Sequence, residues 1–190
     1  MDSFSKVVAI IISATLLFLV PVKDMFEHKD DVSYVIVFNA TTKLVDVVRE
    51  NGYVTPRMYN EFLWALGSTG NVYDIEMTHL HKTYMPDYGD DADADGDGTA
   101  FERNDFQNRA IADYYGYYND DILDKLNDTD NNAVDDEDYY YNMSYGDYFS
   151  IEVKNTNRTA SDIIMDMLTG GRNQFPRIFV KYGGMVRNEN

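Results

Sequence analysis

The feature that most constrains the fold is an apolar run near the amino terminus, Val7–Val22. This run, VVAIIISATLLFLVPV, contains no charged side chain. At about 1.5 Å per residue it forms roughly 24 Å of helix, and Phe4 brings it close to the ~30 Å hydrocarbon core of a bilayer when Lys6 snorkels. The sequence therefore predicts one membrane-spanning helix over residues 4–22, with the lipid bilayer as a partner.

Two other structures are compatible with an apolar run of this length. A secretory signal peptide is one, but the residues that end the run, LVPVK, lack the small-x-small pattern of a cleavage site. A buried helix of a soluble protein is the other, and it would need a large core around a uniformly apolar surface. Because a cleavage site is lacking, we expect a retained anchor. Because Lys6 precedes the span and an acidic domain follows it, we expect the head outside the cell.

The acidity of the chain is concentrated in one segment. The net charge is −17, and 19 of the 33 acidic side chains but only 3 of the 16 basic ones lie between Asp87 and Asp147. Such a segment repels phosphate backbones and attracts cations, so nucleic acid is not an expected partner. The chain has no cysteine, which excludes disulfides and thiolate zinc sites.

Hydrophobic periodicity predicts helices on the amino-terminal side of the head. Pro21 is expected to end or kink the anchor, and a stem helix follows over about residues 30–50, with Asp30 or Asp31 as N-cap and Gly52 just past its end. If unbroken, anchor and stem would form one long helix. The predicted buried stripe of the stem is Val32, Val35, Ile36, Asn39, Ala40, Leu44, Val47 and Val48. A second helix starts at Thr55-Pro56, with its apolar face on Met58, Phe62, Leu63 and Leu66.

Alternation predicts strands over 71–84 and 148–154, a helix over about 159–168, and a last strand over 177–182. On the first strand, Tyr73, Ile75, Met77, His79 and His81 form the predicted buried face. Gly183-Gly184 is expected to form a bulge or bend. The fold class is therefore α+β, a long amino-terminal helix with a small, mostly antiparallel sheet. We divide the chain into an anchor, 1–28, and a head, 29–190, that carries an acidic insertion over about 85–147 with a short helix over 119–126.

The most specific motif is a calcium loop inside the acidic insertion. The stretch DADADGDGTAFE has carboxylates at positions 1, 3 and 5, glycine at 6 and glutamate at 12, as in an EF-hand loop. Position 8 is Gly98, and TYMPDYGD before the loop cannot form an entering helix, so the loop would bind Ca²⁺ weakly, at ~10⁻⁴ to 10⁻³ M. A solvated acidic loop is the alternative. The predicted Ca²⁺ ligands are Asp91, Asp93, Asp95, Asp97 through its carbonyl, Thr99 and Glu102.

Other candidate sites have weaker patterns. The run Asp128, Asp130, Asn132 lacks the glycine and glutamate of a second calcium loop. His79 and His81 lie on one side of a strand, as in some metal sites, but no third ligand follows at a recognisable spacing, which favours a packed or half-exposed pair. Tyrosine clusters between residues 114 and 141 suit packing over the insertion better than sugar binding. No nucleophile with a positioned base is recognisable, so we expect a non-enzymatic protein.

Three stretches together resemble a known family. They are NATTKLVDVVRENGYVTPRMYNEFLWALGSTGNVYDIEMTH after the apolar helix, then GDYFSIEVKNTNRT and FVKYGGMV near the end. This pattern, over about 1–84 and 146–187, resembles the TadE-like, pilin-like membrane proteins of Gram-positive tight-adherence pilus and secretion systems. The resemblance implies a pilin-like fold, with apolar helices gathered in the membrane or filament axis and the head facing out. The glycine and glutamate of a prepilin processing site are lacking between Met1 and Val22, so the resemblance implies a minor subunit.

The functional expectation combines these features. It is a single-pass cell-surface protein, a pilin-like minor subunit of a tight-adherence apparatus, whose partners are other pilin-like subunits or assembly proteins and whose head is stabilised by one Ca²⁺ ion. The alternative is a membrane-anchored extracellular binding or adhesin module unrelated to pili.

Overall fold

A computed structural model describes residues 3–86, 110–127, 140–171 and 176–188 of the chain. These residues form an α+β fold with a long amino-terminal helix and a small antiparallel sheet, as predicted. The helices are α1 (Ser3–Asn51), α2 (Pro56–Gly67), α3 (Asn119–Asn127) and α4 (Ala160–Thr169). The strands are β1 (Tyr53–Val54), β2 (Tyr73–Pro86), β3 (Ala110–Tyr118), β4 (Tyr141–Asn142), β5 (Tyr148–Asn155) and β6 (Phe179–Met185).

Helix α1 is one element of 49 residues, about 74 Å long. It runs through Pro21, so the anchor does not end there, and the predicted alternative of one long helix through anchor and stem is confirmed. The prediction of a new N-cap at Asp30 or Asp31 is wrong. A proline removes one backbone hydrogen bond, and the helix keeps the other hydrogen bonds on both sides of it. Asp30 is buried instead, and it accepts a hydrogen bond from the Ser161 hydroxyl of α4. It therefore ties the stem to the head.

The carboxyl-terminal half of α1 forms one wall of the core. Its buried residues are Asp30, Ser33, Val37, Thr41, Leu44, Val45 and Val48. The predicted stripe shares Leu44 and Val48 with this set, but Val32 and Val35 are exposed. The stripe was misplaced because α1 is apolar on two sides, and the buried side includes hydroxyls. Those of Ser33 and Thr41 donate to the carbonyls of Lys29 and Val37, so they are buried without loss of hydrogen bonding.

The sheet has the order β3-β2-β5-β6, and every neighbouring pair is antiparallel. The predicted alternation of β5 is confirmed: Phe149, Ile151 and Val153 are fully buried, and they pack in the same core as α1. On the opposite face, Lys154 pairs with Glu76 at 2.7 Å and Lys181 with Glu152 at 2.9 Å. One face of the sheet therefore covers the stem, and the other is polar.

Strand β6 continues through Gly183 and Gly184 in regular register, opposite Ser150 and Phe149. The predicted bulge is therefore wrong. The two glycines leave space for neighbouring residues that a side chain would overlap. A Cβ at Gly184 would lie 2.5 Å from the guanidinium of Arg49, which crosses the strand there and donates to the Met185 carbonyl. The Arg49 side chain of α1 therefore occupies the space that a Cβ at Gly184 would take.

Residues 110–127, which the charge pattern places within the acidic insertion, form part of the sheet domain. Strand β3 pairs with β2 over nine residues, from Thr78↔Tyr118 to Pro86↔Ala110, and sequence analysis did not predict this strand. Helix α3 follows as predicted and buries Ile122 and Leu126. The insertion therefore contributes an edge strand and a core helix to the head.

Predicted helix signals after the stem are confirmed. Gly52 ends α1 in the left-handed region with φ of 78°, and its amide donates to the Val48 carbonyl. The Thr55 hydroxyl caps α2 by accepting from the Met58 amide, and Thr159 caps α4 by accepting from the Asp162 amide. These caps fix the first turns of α2 and α4 beside the stem.

Candidate functional site

The predicted calcium ligands lie outside the described residues. This holds for Asp91, Asp93, Asp95, Asp97, Thr99 and Glu102, and for the second acidic run, Asp128, Asp130 and Asn132. The described strands do hold both ends of the first segment, since Pro86 pairs with Ala110 across the hairpin of β2 and β3.

The described part of the chain brings together three ligand-type side chains, those of His79, His81 and Asp147. The two histidines lie two residues apart on β2, and they therefore share one face of the strand. Asp147 immediately precedes β5, whose Tyr148 pairs with Leu80 between the two histidines. The antiparallel register thus places Asp147 next to both imidazoles.

Asp147 is completely buried, and its carboxylate accepts from four donors. One oxygen, Oδ1, lies 2.8 Å from the Lys82 amide and 3.0 Å from His81 Nδ1. The other, Oδ2, lies 2.7 Å from the Ser144 amide and 2.9 Å from His79 Nε2. Two backbone amides and two imidazoles therefore fix the position of this carboxylate.

His79 links the carboxylate to a tyrosine. Its Nδ1 lies 2.8 Å from the Tyr141 hydroxyl, and the Tyr117 ring stacks on its imidazole at 5.5 Å between centroids. Because an ionised carboxylate only accepts, Nε2 carries the proton of a neutral His79, and Nδ1 accepts from Tyr141. The result is a hydroxyl, an imidazole and a carboxylate in series.

The environment sets the charge of each group. Burial lowers the pKa of His79, although the bond to Asp147 opposes this change. Burial acts to raise the pKa of Asp147, but hydrogen bonds from Lys82, His81, Ser144 and His79 hold it below its usual value. Burial also raises the pKa of Tyr141. At neutral pH the carboxylate is thus ionised and the phenol is protonated.

This cluster lies in the wall of an open cavity of about 440 Å³. Its lining also includes Tyr117, Lys125, Tyr140, Tyr141, Asn142 and Ser144. His79 is 3% exposed, whereas the side chain of His81 is 37% exposed. Water and small solutes can therefore reach the cluster from the His81 side.

The arrangement can do two kinds of chemistry. The series of Tyr141, His79 and Asp147 resembles a nucleophile, base and orienting acid, but a buried phenol with a raised pKa is a poor nucleophile. Two imidazoles and a carboxylate are also ligands that hold divalent transition metals. His79 is buried and His81 is half-exposed, and Asp147, which sequence analysis missed, lies beside both as a third ligand-type group. The feature that places Asp147 beside the histidines is the register between β2 and β5.

Comparison with known proteins gives no relative for the fold or for this cluster. No family model matches the chain, and neither a curated protein nor a solved structure matches it. Functional inference therefore depends on the geometry of the chain itself.

Proposed function

We propose that the chain is a non-enzymatic, single-pass surface protein, a pilin-like minor subunit of a tight-adherence pilus or secretion apparatus. The observation that carries this proposal is the division of α1. An 18-residue apolar window in this helix has none of its residues buried in the described structure, whereas the carboxyl-terminal half packs against the sheet. A helix with an exposed apolar first half and a second half packed in the head is the arrangement expected of a membrane anchor.

Side-chain exposure supports a lipid environment for the first half of α1. Phe4 and Leu17 are both 79% exposed, Phe18 is 71% exposed and Ile10 is 68% exposed. Residues 4–22 of a helix span about 28 Å, close to the ~30 Å of a hydrocarbon core. Large apolar surfaces of this kind are stable only when lipid or protein covers them.

The stem supports contact with other subunits. Val32, Val35 and Phe38 are 57%, 52% and 42% exposed, and Tyr34 stacks on Phe38. This side of the stem continues beyond the proposed span and is distinct from the side that packs on the sheet. An apolar side on a helix outside the membrane is suited to pack against helices of neighbouring copies.

The absence of cysteine from the chain allows a direct test of the proposed topology. We would introduce single cysteines by Ser68→Cys, in the head, and by Ser5→Cys, before the span. A membrane-impermeant maleimide should label Ser68→Cys on intact cells, and Ser5→Cys only after lysis. Recovery of the protein in the soluble fraction, or the reverse labelling pattern, would reject the anchor.

Subunit contact is tested by crosslinking along the stem. Val35→Cys should form disulfide-linked dimers in oxidised membranes or sheared fibres, because this position lies on the exposed apolar side. Glu50→Cys, exposed near the end of α1, is the matched control and should stay monomeric. Equal crosslinking of both variants, or of neither, would contradict packing through this side.

The proposed subunit also binds one Ca²⁺ ion through Asp91, Asp93, Asp95, Asp97, Thr99 and Glu102. The support is the ligand spacing of the sequence and the paired strands that hold the segment at both ends. Millimolar Ca²⁺ should raise the melting temperature of the wild type but not of Glu102→Ala. Identical melting temperatures of the wild type with and without Ca²⁺ would reject the site.

One observation favours the alternative, an anchored adhesin module. Tyr114, Tyr115 and Tyr118 on the edge strand β3 are 49%, 61% and 63% exposed. Exposed tyrosines are common in contact surfaces for sugars and proteins. Loss of cell or glycan binding in Tyr115→Ala, together with no crosslinking through Val35→Cys, would support this alternative over the pilus subunit.

A further inference from the structure

We propose that His79, His81 and Asp147 bind one divalent transition-metal ion of the zinc class in the wall of the cavity. This inference does not depend on the membrane anchor or on the pilus role. The three side chains lie on β2 and directly before β5, which are paired, so the rigid part of the sheet sets their spacing. One ligand atom from each lies within 4.8 Å of the others.

The donor set selects the class of metal. Neutral imidazole nitrogens with one carboxylate oxygen suit Zn²⁺, Co²⁺ or Ni²⁺, whereas Ca²⁺ takes oxygen donors. This cluster is therefore distinct in chemistry from the predicted Ca²⁺ ligands between Asp91 and Glu102. Two cation sites of different type would lie in one head.

The distances leave a small adjustment for an ion. His79 Nε2 is 2.9 Å from Asp147 Oδ2, and His81 Nδ1 is 3.0 Å from Asp147 Oδ1. Ligands at the ~2.0–2.1 Å bonds of tetrahedral zinc are roughly 3.3 Å apart. Each imidazole nitrogen would therefore move a few tenths of an ångström from the carboxylate, and the two nitrogens, which lie within 4.8 Å of each other, would adjust to the same spacing, to admit the ion where two protons now lie.

Binding of the ion leaves the number of protons on the two imidazoles unchanged. When Nε2 of His79 binds the ion, its proton moves to Nδ1, which then donates to the Tyr141 oxygen 2.8 Å away. In His81, Nδ1 binds the ion and Nε2 carries the proton, on a side chain that is 37% exposed. Both imidazoles stay neutral, and the Tyr141 hydroxyl only has to rotate.

Outer contacts already hold the ligands in place. The amides of Lys82 and Ser144 donate to the two oxygens of Asp147, and Tyr117 stacks on His79. Such contacts orient metal ligands and raise affinity. The open cavity, with Lys125 in its lining, leaves room for a water molecule or an anion in the fourth position.

The test uses the full chain in detergent micelles, treated with EDTA, dialysed, and titrated in 5 mM Ca²⁺ with Zn²⁺ and separately with Co²⁺. We expect one equivalent of Zn²⁺, and Co²⁺ absorption bands of a four-coordinate nitrogen and oxygen site. His81→Gln should weaken Zn²⁺ binding by at least about 100-fold and abolish the bands, because outer contacts alone are worth 10–100-fold. His81 is half-exposed, so this variant should retain the fold.

Two matched controls separate this site from others. His28→Gln removes the exposed histidine on α1, and Glu102→Ala disrupts the predicted Ca²⁺ loop; both should keep the stoichiometry and the Co²⁺ bands. Circular dichroism of His81→Gln in EDTA checks that its fold is intact. The proposal is overturned if folded wild type takes up no Zn²⁺, or if His81→Gln binds as tightly as the wild type. Loss of binding in Glu102→Ala alone would assign the ion to the acidic loop.

Discussion

At the scale of single residues, the buried carboxylate of Asp147 joins two strands and a loop. Its carboxylate accepts hydrogen bonds from His79, His81, Lys82 and Ser144 at 3.0 Å or less. It also precedes β5, so these bonds fix the start of a central strand. A change at Asp147 therefore alters both the cluster and the sheet.

The first prediction concerns Asp147→Asn. The amide group has one acceptor oxygen in place of two, so two of the four donors lose their acceptor. We expect the free energy of unfolding to fall by about 2–3 kcal/mol, as for lost bonds to a charged acceptor. Urea unfolding in EDTA measures this loss. Asp31→Asn, at an exposed site on α1, should change it by less than about 0.5 kcal/mol. Equal stabilities of the two variants would contradict the role of Asp147.

The second prediction is the pH dependence of metal-free protein. Burial lowers the pKa of His79, and hydrogen bonds hold the pKa of Asp147 low against its burial. His81, Tyr141 and Tyr117 are the other titratable groups that face them. Both folded pKa values are below the unfolded ones, so the unfolded chain binds more protons on acidification. The contribution of the pair is full above about pH 6.5 and decreases as the pH falls, first through His79 and then, below about pH 4, through Asp147.

Acidification also reduces the net charge of −17, and the weaker repulsion stabilises the folded chain. The test therefore compares the free energies of unfolding of two variants at each pH. The gap in unfolding free energy between wild type and Asp147→Asn should not shrink between pH 7 and about pH 4, because removal of Asp147 also removes a group that raises the pKa of His79. The gap should shrink below about pH 4, as Asp147 is protonated, and a gap that stays constant or widens there would refute the assignment.

Sequence patterns identified two of the three groups in this cluster. Alternation on β2 predicted that His79 and His81 share a face, because strand periodicity is local. Asp147 was missed because its place depends on the register between β2 and β5, which are separated by more than sixty residues in the chain. Register depends on packing of the whole sheet, and a single sequence does not contain it.

At the scale of elements, the local signals predicted α2, α4 and β5 well. Caps such as Thr55 and Thr159, and the alternation of β5, act within a few residues. Strand β3 was missed because its sequence, AIADYYGYY, lacks apolar and polar alternation. Its strand conformation depends on pairing with β2, and so could not be derived locally.

The two glycines of β6 give the third prediction. A Cβ at Gly183 would overlap Ser150 and lie 2.8 Å from the Phe149 carbonyl oxygen, whereas at Gly184 it would meet only the far end of the Arg49 side chain. Gly183→Ala should therefore destabilise the fold by about 1–3 kcal/mol, as overpacking does, and Gly184→Ala by less. Thermal or urea unfolding measures both. Gly67→Ala, at the end of α2 with nothing within 4 Å, is the control and should be close to neutral. The reverse order of the two β6 variants would show that β6 lies elsewhere.

At the scale of the whole molecule, one helix combines an exposed apolar part with a part that belongs to the core. Residues 4–22 of α1 are exposed or nearly so, and the part from Asp30 to Val48 completes the core. The sequence left open whether anchor and stem are continuous through Pro21, because a proline inside a helix can either end it or be accommodated. The division implies that the chain can be shortened between the two parts without loss of the core residues of the stem.

The last prediction follows from that division. A chain that begins at Lys23 retains the Lys23–Glu27 pair, the Asp30–Ser161 hydrogen bond and the core residues of α1. It should be soluble without detergent, with near-native circular dichroism and a melting temperature within a few degrees of the full chain, since residues 4–22 contribute little buried surface. A chain that begins at Gly52 loses Val37, Val45 and Val48, each fully buried. Burial of each such side chain is worth about 1.5–3 kcal/mol, comparable in sum to the whole stability of a domain, so this second chain should not fold. If both truncated chains fold, the stem is no part of the core; if neither folds, the apolar half of α1 stabilises the head through contacts that this division does not include.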